Sequence, residues 1–352
     1  MLRGSVLAVS IALAACDDEP LQRHDRADET KHDAGSRPLT AGAQHAKQHE
    51  EESASVTEAS AEAGDGAIQH ALKPGAPWKN EAPAKNAAVH AVWGVHSPPG
   101  VYAITLRKSG SVILFSHGDG AWTEQANPTA GTLESVWASS ATDVYAAGPG
   151  GIIHSTGDGR WKVQPTPDEW SFFFIAGSGP HDVYAIGKGG LLAHSHGDGV
   201  WTKEPGVYHK GQLQCVRAVD RDNAYVVGNE GSILHKSAGK WAIENSGTPS
   251  SLYDLLVIAN DDVYAVGSHG LILHSTGDGV WTSMFAPPLE SEALFAVWGE
   301  TATRLYAGGD EGTLLRFDGT TWTTATKFKT SIESIWSDPV LGTFLVGRHT
   351  KP

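Results

Sequence analysis

Regularly spaced tryptophans divide most of the chain into units of nearly constant length. Neighbouring copies are 39 to 41 residues apart, at Trp122, Trp161, Trp201, Trp241, Trp281 and Trp322. The sequence between them also recurs, as in LESVWASSATDVYAAGPGGIIHSTGDGRW, which ends at Trp161, and LLVIANDDVYAVGSHGLILHSTGDGVW, which ends at Trp281. A fixed period of this length indicates a repeat architecture, in which each unit packs against the next.

Each unit contains four short segments with strand character. The first is apolar (LESVWA), the second is rich in Val and Tyr (DVYAAG), the third is of the GIIH type, and the fourth begins at the closing tryptophan. Gly-Asp-Gly and Asn-Asp turn signals separate these segments, and no unit has the apolar spacing of an amphipathic helix. Four strands in about 40 residues are typical of one β-propeller blade, which predicts an all-β fold.

The two ends of the propeller region together supply one further blade. Residues 331–352 provide a first and a second strand and then stop, whereas residues 66–70 match the third-strand pattern and Trp78 matches the closing tryptophans. Joining these pieces predicts a seven-bladed β-propeller over residues 64–352. Two strands of the last blade then come from each terminus, so the ring closes without an open edge.

The N-terminus has the features of an export signal. Arg3 precedes a short apolar run, and residues 1–15 are followed by Cys16 and three acidic residues. The run is too short to span a bilayer as a helix. Residues 13–16, Leu-Ala-Ala-Cys, resemble the bacterial lipobox, which predicts a lipoprotein signal peptide over 1–15 and lipidation of Cys16. The alternative is ordinary cleavage after Ala14, which leaves Cys16 as a free thiol.

The segment that follows the signal has the composition of a disordered tether. Residues 16–63 contain almost no large apolar side chain that could offset the entropy of ordering the chain. With the lipobox, this predicts an exported protein that lipid holds on a bacterial membrane, facing the periplasm or the cell surface.

Composition excludes two classes of protein. The chain has 26 Lys and Arg against 40 Asp and Glu, a formal charge of −14, whereas proteins that bind nucleic-acid phosphates need basic surface. Two cysteines in 352 residues also exclude a disulfide-stapled scaffold. We expect no cofactor and a monomeric protein.

The repeat sequence resembles that of a known group of proteins. The run V-W, D-V-Y-A-x-G, G-x-I-x-H and G-D-G-x-W is similar to the repeats of bacterial surface propellers of the myxobacterial lipoprotein type, and to YVTN and BNR/Asp-box propellers. It also resembles the propeller of photosystem II assembly factors. The segment from Ser155 to Trp161 is one residue shorter than an Asp box. The resemblance implies the propeller fold and, as one functional alternative, an assembly factor for a membrane complex.

The repeated polar residues favour structural roles over metal binding. Third strands of neighbouring blades lie too far apart for their side chains to share one ion, because a ligand must come within about 2 Å of the metal. The same interpretation applies to the Asp of each Gly-Asp-Gly turn, which we expect to order its own hairpin. We therefore predict no metal site at these histidines: His70, His154, His194, His235 and His274.

Candidate binding residues are those that depart from the repeat on the face that carries the loops into each first strand. Aromatic and charged side chains around a shallow funnel suit a protein or carbohydrate partner, although ordinary solvated loops are the simpler interpretation. The candidates on these loops are Glu169, Trp170, Tyr208, His209, Lys210 and Phe285.

Arg217 is a further candidate, because it replaces the first-strand tryptophan found in four other blades. It is predicted to point into the central channel beside Cys215, which we expect to be a buried small side chain. A sialidase-like hydrolase would need an arginine cluster and at least two carboxylates around one cavity, and we find no Ser-His-Asp or P-loop pattern. The sequence therefore predicts a non-catalytic, envelope-anchored binding module, with the glycoside hydrolase as the alternative.

Overall fold

The computed structural model describes residues 68–71, 76–81, 88–207, 211–284, 286–287, 289 and 292–347. Over these residues the chain forms 28 strands in seven sheets of four antiparallel strands. The predicted all-β fold and the count of seven blades are confirmed. The chain divides into units Met1–Ala54 and Ser55–Pro352, and every described residue belongs to the second. The predicted signal peptide (1–15), the tether (16–63) and Cys16 lie outside the described residues.

The first two strands of the chain belong to the last blade, and six blades of four consecutive strands follow them. In chain order, the strands as far as blade 3 are β1 (Ile68–Ala71), β2 (Lys79–Glu81), β3 (Ala88–Val95), β4 (Gly100–Arg107), β5 (Gly110–Ser116), β6 (Thr123–Gln125), β7 (Ser135–Ser140), β8 (Asp143–Gly148), β9 (Gly151–Ser155), β10 (Lys162–Gln164), β11 (Phe172–Gly179), β12 (Asp182–Gly187), β13 (Leu191–Ser195) and β14 (Thr202–Lys203). Blade 1 begins at β3, blade 2 at β7 and blade 3 at β11.

Blades 4, 5 and 6 begin at β15, β19 and β23 of the remaining strands, and blade 7 begins at β27. These strands are β15 (Leu213–Asp220), β16 (Asn223–Gly228), β17 (Ser232–Ser237), β18 (Lys240–Asn245), β19 (Leu252–Ala259), β20 (Asp262–Gly267), β21 (Ile272–Ser275), β22 (Trp281–Ser283), β23 (Leu294–Thr301), β24 (Arg304–Gly309), β25 (Thr313–Phe317), β26 (Trp322–Lys327), β27 (Ser334–Asp338) and β28 (Gly342–Val346). Four 3-10 turns join second to third strands in blades 3 to 6: Lys188–Gly190, Asn229–Gly231, Ser268–Gly270 and Asp310–Gly312.

Blade 7 is assembled from both ends of the propeller, as the sequence predicts. Its strand order is β2-β1-β28-β27, with Ile68 opposite Val346 and His70 opposite Phe344. The innermost strand of this blade, β27, packs against the innermost strands of both neighbours, β23 and β3. The ring is therefore closed by contacts between residues that lie far apart in the sequence.

Second strands are buried along nearly their whole length. All six residues of β12 are buried, because both faces of this strand are covered by the adjoining blades. Apolar clusters accordingly join neighbouring blades, as where Val227 of blade 4 belongs to the same cluster as Leu255 of blade 5. Burial of such apolar surface, at roughly 25 cal/mol per Å², is the main force that holds one blade to the next. Within the described residues, no helix is long and apolar enough to cross a membrane.

The loops of the ring divide between two faces. On one face, the Lys188 amide in the turn after β12 donates to the Ser171 carbonyl in the segment that enters β11, at 2.9 Å. The equivalent bond in blade 4 joins the Asn229 amide to the Gln212 carbonyl, also at 2.9 Å. This face, which we call the funnel face, combines the loops that enter first strands with the turns between second and third strands, as expected.

Gly-Asp-Gly turns lie on the opposite face and are ordered by their own side chains. The Asp158 carboxylate accepts the Arg160 amide at 3.0 Å, and the Ser155 hydroxyl accepts the Gly157 amide at 3.2 Å. The turns at Asp119, Asp198 and Asp278 repeat both bonds. Gly157 adopts φ 81°, and a Cβ there would lie 2.0 Å from the Ala141 carbonyl oxygen, so only glycine fits. The expected role of the turn aspartates is confirmed.

Third-strand histidines form hydrogen bonds with the first residue of the second strand in their own blade. In blade 3, His194 Nε2 lies 2.8 Å from Asp182 Oδ1, and the His194 ring stacks on Tyr184 with centroids 4.3 Å apart. His154 and His274 make the same 2.8 Å contact with Asp143 and Asp262. These side chains therefore tie the third strand to the edge of its own blade, which is the structural role expected of them.

Carboxylates on the fourth strands connect these histidines to the next blade. Glu81 accepts the indole N–H of Trp122 at 2.8 Å while its other oxygen lies 2.7 Å from His70 Nδ1. Glu244 joins His235 and Trp281 in the same way, with both contacts at 2.7 Å. Gln125 accepts from Trp161, and Glu204 accepts from Trp241. We call this set of side chains the outer belt. It consists of the Asp or Asn at the start of the second strand, the third-strand His, the fourth-strand Glu or Gln, and the closing Trp of the next blade.

At two interfaces the belt leaves a buried indole N–H unsatisfied. The buried indole nitrogens of Trp201 and Trp322 have no hydrogen-bond partner. Trp322 is 3% exposed and lies in a cluster with Met284, which occupies the position that Glu81 and Glu244 take in their blades. Because Met284 cannot act as a strong acceptor, the Trp322 N–H stays unsatisfied at a cost of about 1–3 kcal/mol.

Candidate partner-binding site

One residue near the start of each first strand faces the channel on the funnel face. In five blades it is the extra residue of a β-bulge, since the pairing register shifts across it. A bulged residue has no partner in the ladder, which leaves its side chain free to turn toward the channel. We call the seven residues the mouth ring, and in blade order they are His90, Glu134, Phe173, Gln214, Tyr253, Phe295 and Glu333.

The mouth ring surrounds a cavity of about 930 Å³, and its composition is uneven around the circle. Blades 7, 1 and 2 contribute Glu333, His90 and Glu134, which we call the acidic arc. Blades 3 to 6 contribute three aromatic side chains and one amide, Phe173, Gln214, Tyr253 and Phe295, which we call the aromatic arc.

Side chains of the aromatic arc are fixed by contacts with the funnel-face turns and with each other. The Tyr253 hydroxyl lies 2.9 Å from the Ser268 hydroxyl, and its ring is 5.5 Å from the Phe295 ring between centroids. The Gln214 amide donates to the Asn229 side chain at 3.0 Å. The aromatic wall is therefore held in place before any partner arrives, which lowers the entropy cost of binding.

In the acidic arc, His90 and Glu333 lie side by side. His90 Nδ1 is 3.6 Å from Glu333 Oε2, and both side chains are mostly buried. The other ring nitrogen of His90, Nε2, is buried without a hydrogen-bond partner. This arc therefore presents carboxylate groups and one incompletely satisfied imidazole beside the cavity.

Arg217 and two aromatic rings lie below the mouth ring. The Arg217 guanidinium carbon is 5.1 Å from the centroid of Phe174 and 5.9 Å from that of Trp93, which reaches it from blade 1 on the far side of the channel. Trp93 also meets Trp298 edge to face, at 5.2 Å between centroids. Contacts across the ring thus constrict the channel beneath the cavity.

Asp254 holds this floor together. One carboxylate oxygen accepts from Arg217 Nη2 at 3.0 Å and lies 3.0 Å from Cys215 Sγ, and the other accepts the Val297 amide of blade 6 at 3.0 Å. Arg217 Nε also donates to the Leu255 carbonyl at 3.1 Å. In blades 2 and 7 a serine at the same position accepts the equivalent amide of the next blade. Asp254 therefore keeps a repeat contact while it neutralises the buried arginine.

Burial raises the pKa of the Cys215 thiol well above its ordinary value, and Asp254 adds to this effect although Arg217 opposes it. The thiol is fully buried, so it stays protonated and packs as a small side chain, as expected. Among the described residues, no three His, Cys, Asp or Glu side chains are arranged to hold a metal ion.

The predicted loop candidates are only partly within the described residues. Trp170 is half-buried on the funnel face, where its amide donates to the Pro167 carbonyl at 3.0 Å and its ring meets Phe172 edge to face, while Glu169 is exposed. Arg217 lines the cavity beside Cys215, as predicted. Four other candidates lie outside the described residues: Tyr208, His209, Lys210 and Phe285.

The mouth ring and Asp254 are absent from the candidates drawn from sequence. The candidates are departures from the repeat at the tryptophan position and in loops, whereas the mouth ring occupies a position near the start of each first strand that holds five residue types in seven blades. A signal was present, because the residue after the first buried apolar side chain is charged or polar in some blades and aromatic in others.

Requirements for a sialidase-like hydrolase are met only in part. Arg217 and the carboxylates of Glu134, Asp254 and Glu333 do line one cavity. Among the described residues that line the cavity, there is no second arginine beside Arg217. The Arg217 guanidinium already donates hydrogen bonds to Asp254 and to the Leu255 carbonyl. The site therefore lacks the arginine cluster that would clamp a substrate carboxylate.

Comparisons with known proteins support the fold. No protein-family model matches the chain, and no curated protein matches its sequence. The structure is similar to that of YCF48 from Cyanidioschyzon merolae, with a TM-score of 0.62, 14% identity, and coverage of 80% of this chain and 97% of the other. It is also similar to YCF48 bound to D1 peptide (TM-score 0.61, 15% identity, 75% and 90% coverage) and to the WD40 propeller domain of Doa1 (0.61, 13%, 80% and 94%).

Proposed function

We propose that this chain is a non-catalytic binding module that holds a segment of a protein partner at the mouth ring. The observation that carries the proposal is the cavity of about 930 Å³, with a fixed aromatic wall at the centre of the funnel face. Aromatic side chains in a concave, partly desolvated site are the usual anchors of protein recognition. One structure with this fold holds a D1 peptide, which is consistent with a peptide-sized ligand on such a ring.

Site-specific photo-crosslinking tests this proposal. A photoreactive amino acid at Tyr253 should form a discrete protein adduct in cell-envelope fractions, and the adduct should disappear when Phe295→Ala removes the neighbouring ring. The same photoreactive residue at Asp261, exposed on the opposite face, is the matched control. Equal adducts at both positions, or no dependence on Phe295, would refute binding at the mouth ring.

Envelope anchoring is the second part of the proposal. A lipid on Cys16 would fix the chain to a bacterial membrane, and residues 16–63 would act as a tether that gives the propeller reach. Cys16→Ser should then move the protein from the membrane fraction to the soluble fraction. A variant that stays with the membrane would show that Cys16 is not the anchor.

Funnel-face loops are proposed to extend the contact beyond the ring. Trp170 and Glu169 border the entrance to β11. The sequence predicts that Tyr208, His209, Lys210 and Phe285, which lie outside the described residues, belong to loops of the same type. A carbohydrate ligand would use these aromatic side chains for stacking. Glycan-array binding that is lost on Trp170→Ala would favour a carbohydrate over a protein partner, while an array without binding would leave the protein partner favoured.

A glycoside hydrolase is the second candidate, because one arginine and three carboxylates share the cavity. Hydrolysis of fluorogenic glycosides by the wild type, abolished by Glu134→Gln, would establish this activity. Absence of turnover with sialosides and neutral glycosides would leave the binding module as the function. A role in assembling a membrane complex is a form of the protein-binding proposal, and the crosslinked partner would identify it.

A further inference from the structure

The mouth ring is chemically divided, and the division indicates what it binds. Two glutamates and one histidine occupy three consecutive blades, and aromatic or amide side chains occupy the other four. We propose that the ring receives a Lys or Arg side chain of the partner segment, between the acidic arc and the aromatic arc. This inference rests on the proposed function, because it names the chemistry of the residue that the protein partner inserts.

Charge in the cavity favours a cationic group. The lining residues include two cations, Lys188 and Arg217, and three carboxylates, so the formal charge is −1 with His90 neutral. Arg217 is paired with Asp254 at 3.0 Å, so the other charged groups that line the cavity are the carboxylates of Glu134 and Glu333 and the ammonium group of Lys188. In a partly desolvated site these two carboxylates attract a positive charge more strongly than they would in water.

Both carboxylates can accept a ligand in addition to their contacts within the protein. Glu333 lies 3.6 Å from His90 Nδ1, and the His90 Nε2 atom has no partner. An ionised carboxylate has about four lone-pair directions, so it can accept a ligand while it keeps contacts within the protein. The acidic arc can therefore accept hydrogen bonds from an ammonium or guanidinium group.

The aromatic arc complements the rest of such a side chain. Phe173, Tyr253 and Phe295 present apolar rings, of which the last two pack at 5.5 Å. Lys and Arg bury their aliphatic stems on apolar surface while their charged ends reach polar groups, and a cation near an aromatic face gains further stabilisation. An anionic side chain would lose both interactions, and a neutral apolar one would gain only the first.

Peptide binding to the full chain in detergent tests the inference. The probes are three peptides, acetyl-Gly-Ser-Phe-X-Phe-Ser-Gly-amide, in which X is lysine, norleucine or glutamate. By isothermal titration calorimetry, the lysine peptide should bind about tenfold more tightly than the norleucine peptide, a difference expected of a partly buried charge contact. The glutamate peptide should bind most weakly, and only the affinity of the lysine peptide should fall steeply with added salt.

Variants separate this inference from the proposed function. The double change Glu134→Gln and Glu333→Gln should remove the preference for lysine, so that the lysine and norleucine peptides bind with similar affinity, whereas Asp261→Asn on the opposite face should keep the parent's preference. Phe295→Ala should weaken the lysine and norleucine peptides alike. Melting temperatures equal to that of the parent would show that each variant is folded.

Two outcomes would overturn the inference. If the three peptides bind equally and all depend on Phe295, the ring is a protein-binding site without charge selection, and only the proposed function stands. If no peptide binds at millimolar concentration, the inference is wrong, and crosslinking at Tyr253 decides separately whether the ring binds a protein.

Discussion

At the outer belt, neighbouring blades use the same side chains for the same contact, whereas at the mouth ring the side chain changes from blade to blade. Glu81 and Glu244 both bridge a histidine of their own blade and a tryptophan of the next. The mouth ring instead contains His, Glu, Phe, Gln and Tyr at one structural position. The belt residues are constrained because each satisfies buried partners, while a bulged residue has no partner in the strand ladder, so the fold constrains its side chain less.

Removing β1 and β2 should have the largest effect, because it breaks the belt and the ring together. Deletion of residues 64–83 takes away the third and fourth strands of blade 7, including Ile68, which is fully buried, and Glu81, which accepts from Trp122. We expect loss of the cooperative thermal transition and aggregation in size-exclusion chromatography. Deletion of residues 17–63 is the control and should keep the parent's melting temperature; a 64–83 deletion that does so would contradict closure by these strands.

Breaking one link of the belt should have an intermediate effect. The Asp182 side chain is 7% exposed and contacts His194 and Ser178. Asp182→Ala leaves the buried His194 without this partner, so the free energy of unfolding should fall by about 2–4 kcal/mol in urea titrations. Asp182→Asn should cost less, because blade 4 naturally places Asn223 against His235 at 3.1 Å. An exposed mouth-ring change, Glu134→Gln, should stay within about 0.5 kcal/mol of wild type.

The same variants should differ in their dependence on pH. Burial acts to raise the pKa of Asp182, but hydrogen bonds from His194 and Ser178 outweigh it and hold that pKa below its usual range. A carboxyl group with a lowered pKa in the folded state stabilises the protein above its unfolded-state pKa, near 4, and this contribution is lost as the pH falls through the folded-state value. Wild type should therefore lose stability below about pH 4 more steeply than Asp182→Asn. Equal slopes would show that Asp182 does not contribute to this loss.

Completing the belt should have the smallest effect, and it should be favourable. Met284→Gln places an acceptor where Gln125 serves in blade 1, next to the unpartnered Trp322 N–H. We expect a gain of about 0.5–1 kcal/mol in the free energy of unfolding, measured by denaturant titration. Met284→Leu is the matched control, since it fills similar volume without an acceptor. A gain for leucine equal to that for glutamine would mean that packing, not the hydrogen bond, limits this interface.

Sequence predicted the fold well, because every structural requirement recurs in several blades. Spacing of the closing tryptophans fixed the blade length, and the match of residues 66–70 to the third strands located the split blade. The Glu or Gln three residues after most closing tryptophans was overlooked, since a polar residue on a short outer strand resembles a solvated one. Its role depends on the indole of the next blade, which only the three-dimensional arrangement brings within reach.

The site was predicted in one respect only. Arg217 was identified because it interrupts a column of tryptophans, but its partner Asp254 was not, because an acidic residue after Tyr253 has no counterpart elsewhere in the repeat. The mouth ring could not be recognised from the alternation of inward and outward side chains. A β-bulge shifts the pairing register by one residue, so a side chain that simple alternation would point away from the channel turns toward it.

Closure of blade 7 also sets the order in which the molecule can be completed. Ile68 pairs with Val346, so the first strand of the propeller cannot form its hydrogen bonds with β28 until nearly the last residues of the domain have been synthesised. Contacts so distant along the chain form slowly, because the entropy of closing the loop is lost before the contact stabilises anything. During synthesis, β1 and β2 therefore remain unpaired with blade 7 while blades 1 to 6 assemble. Until β1 pairs with it, β28 has an unpaired edge. This incomplete ring is the intermediate on which a chaperone could act during folding.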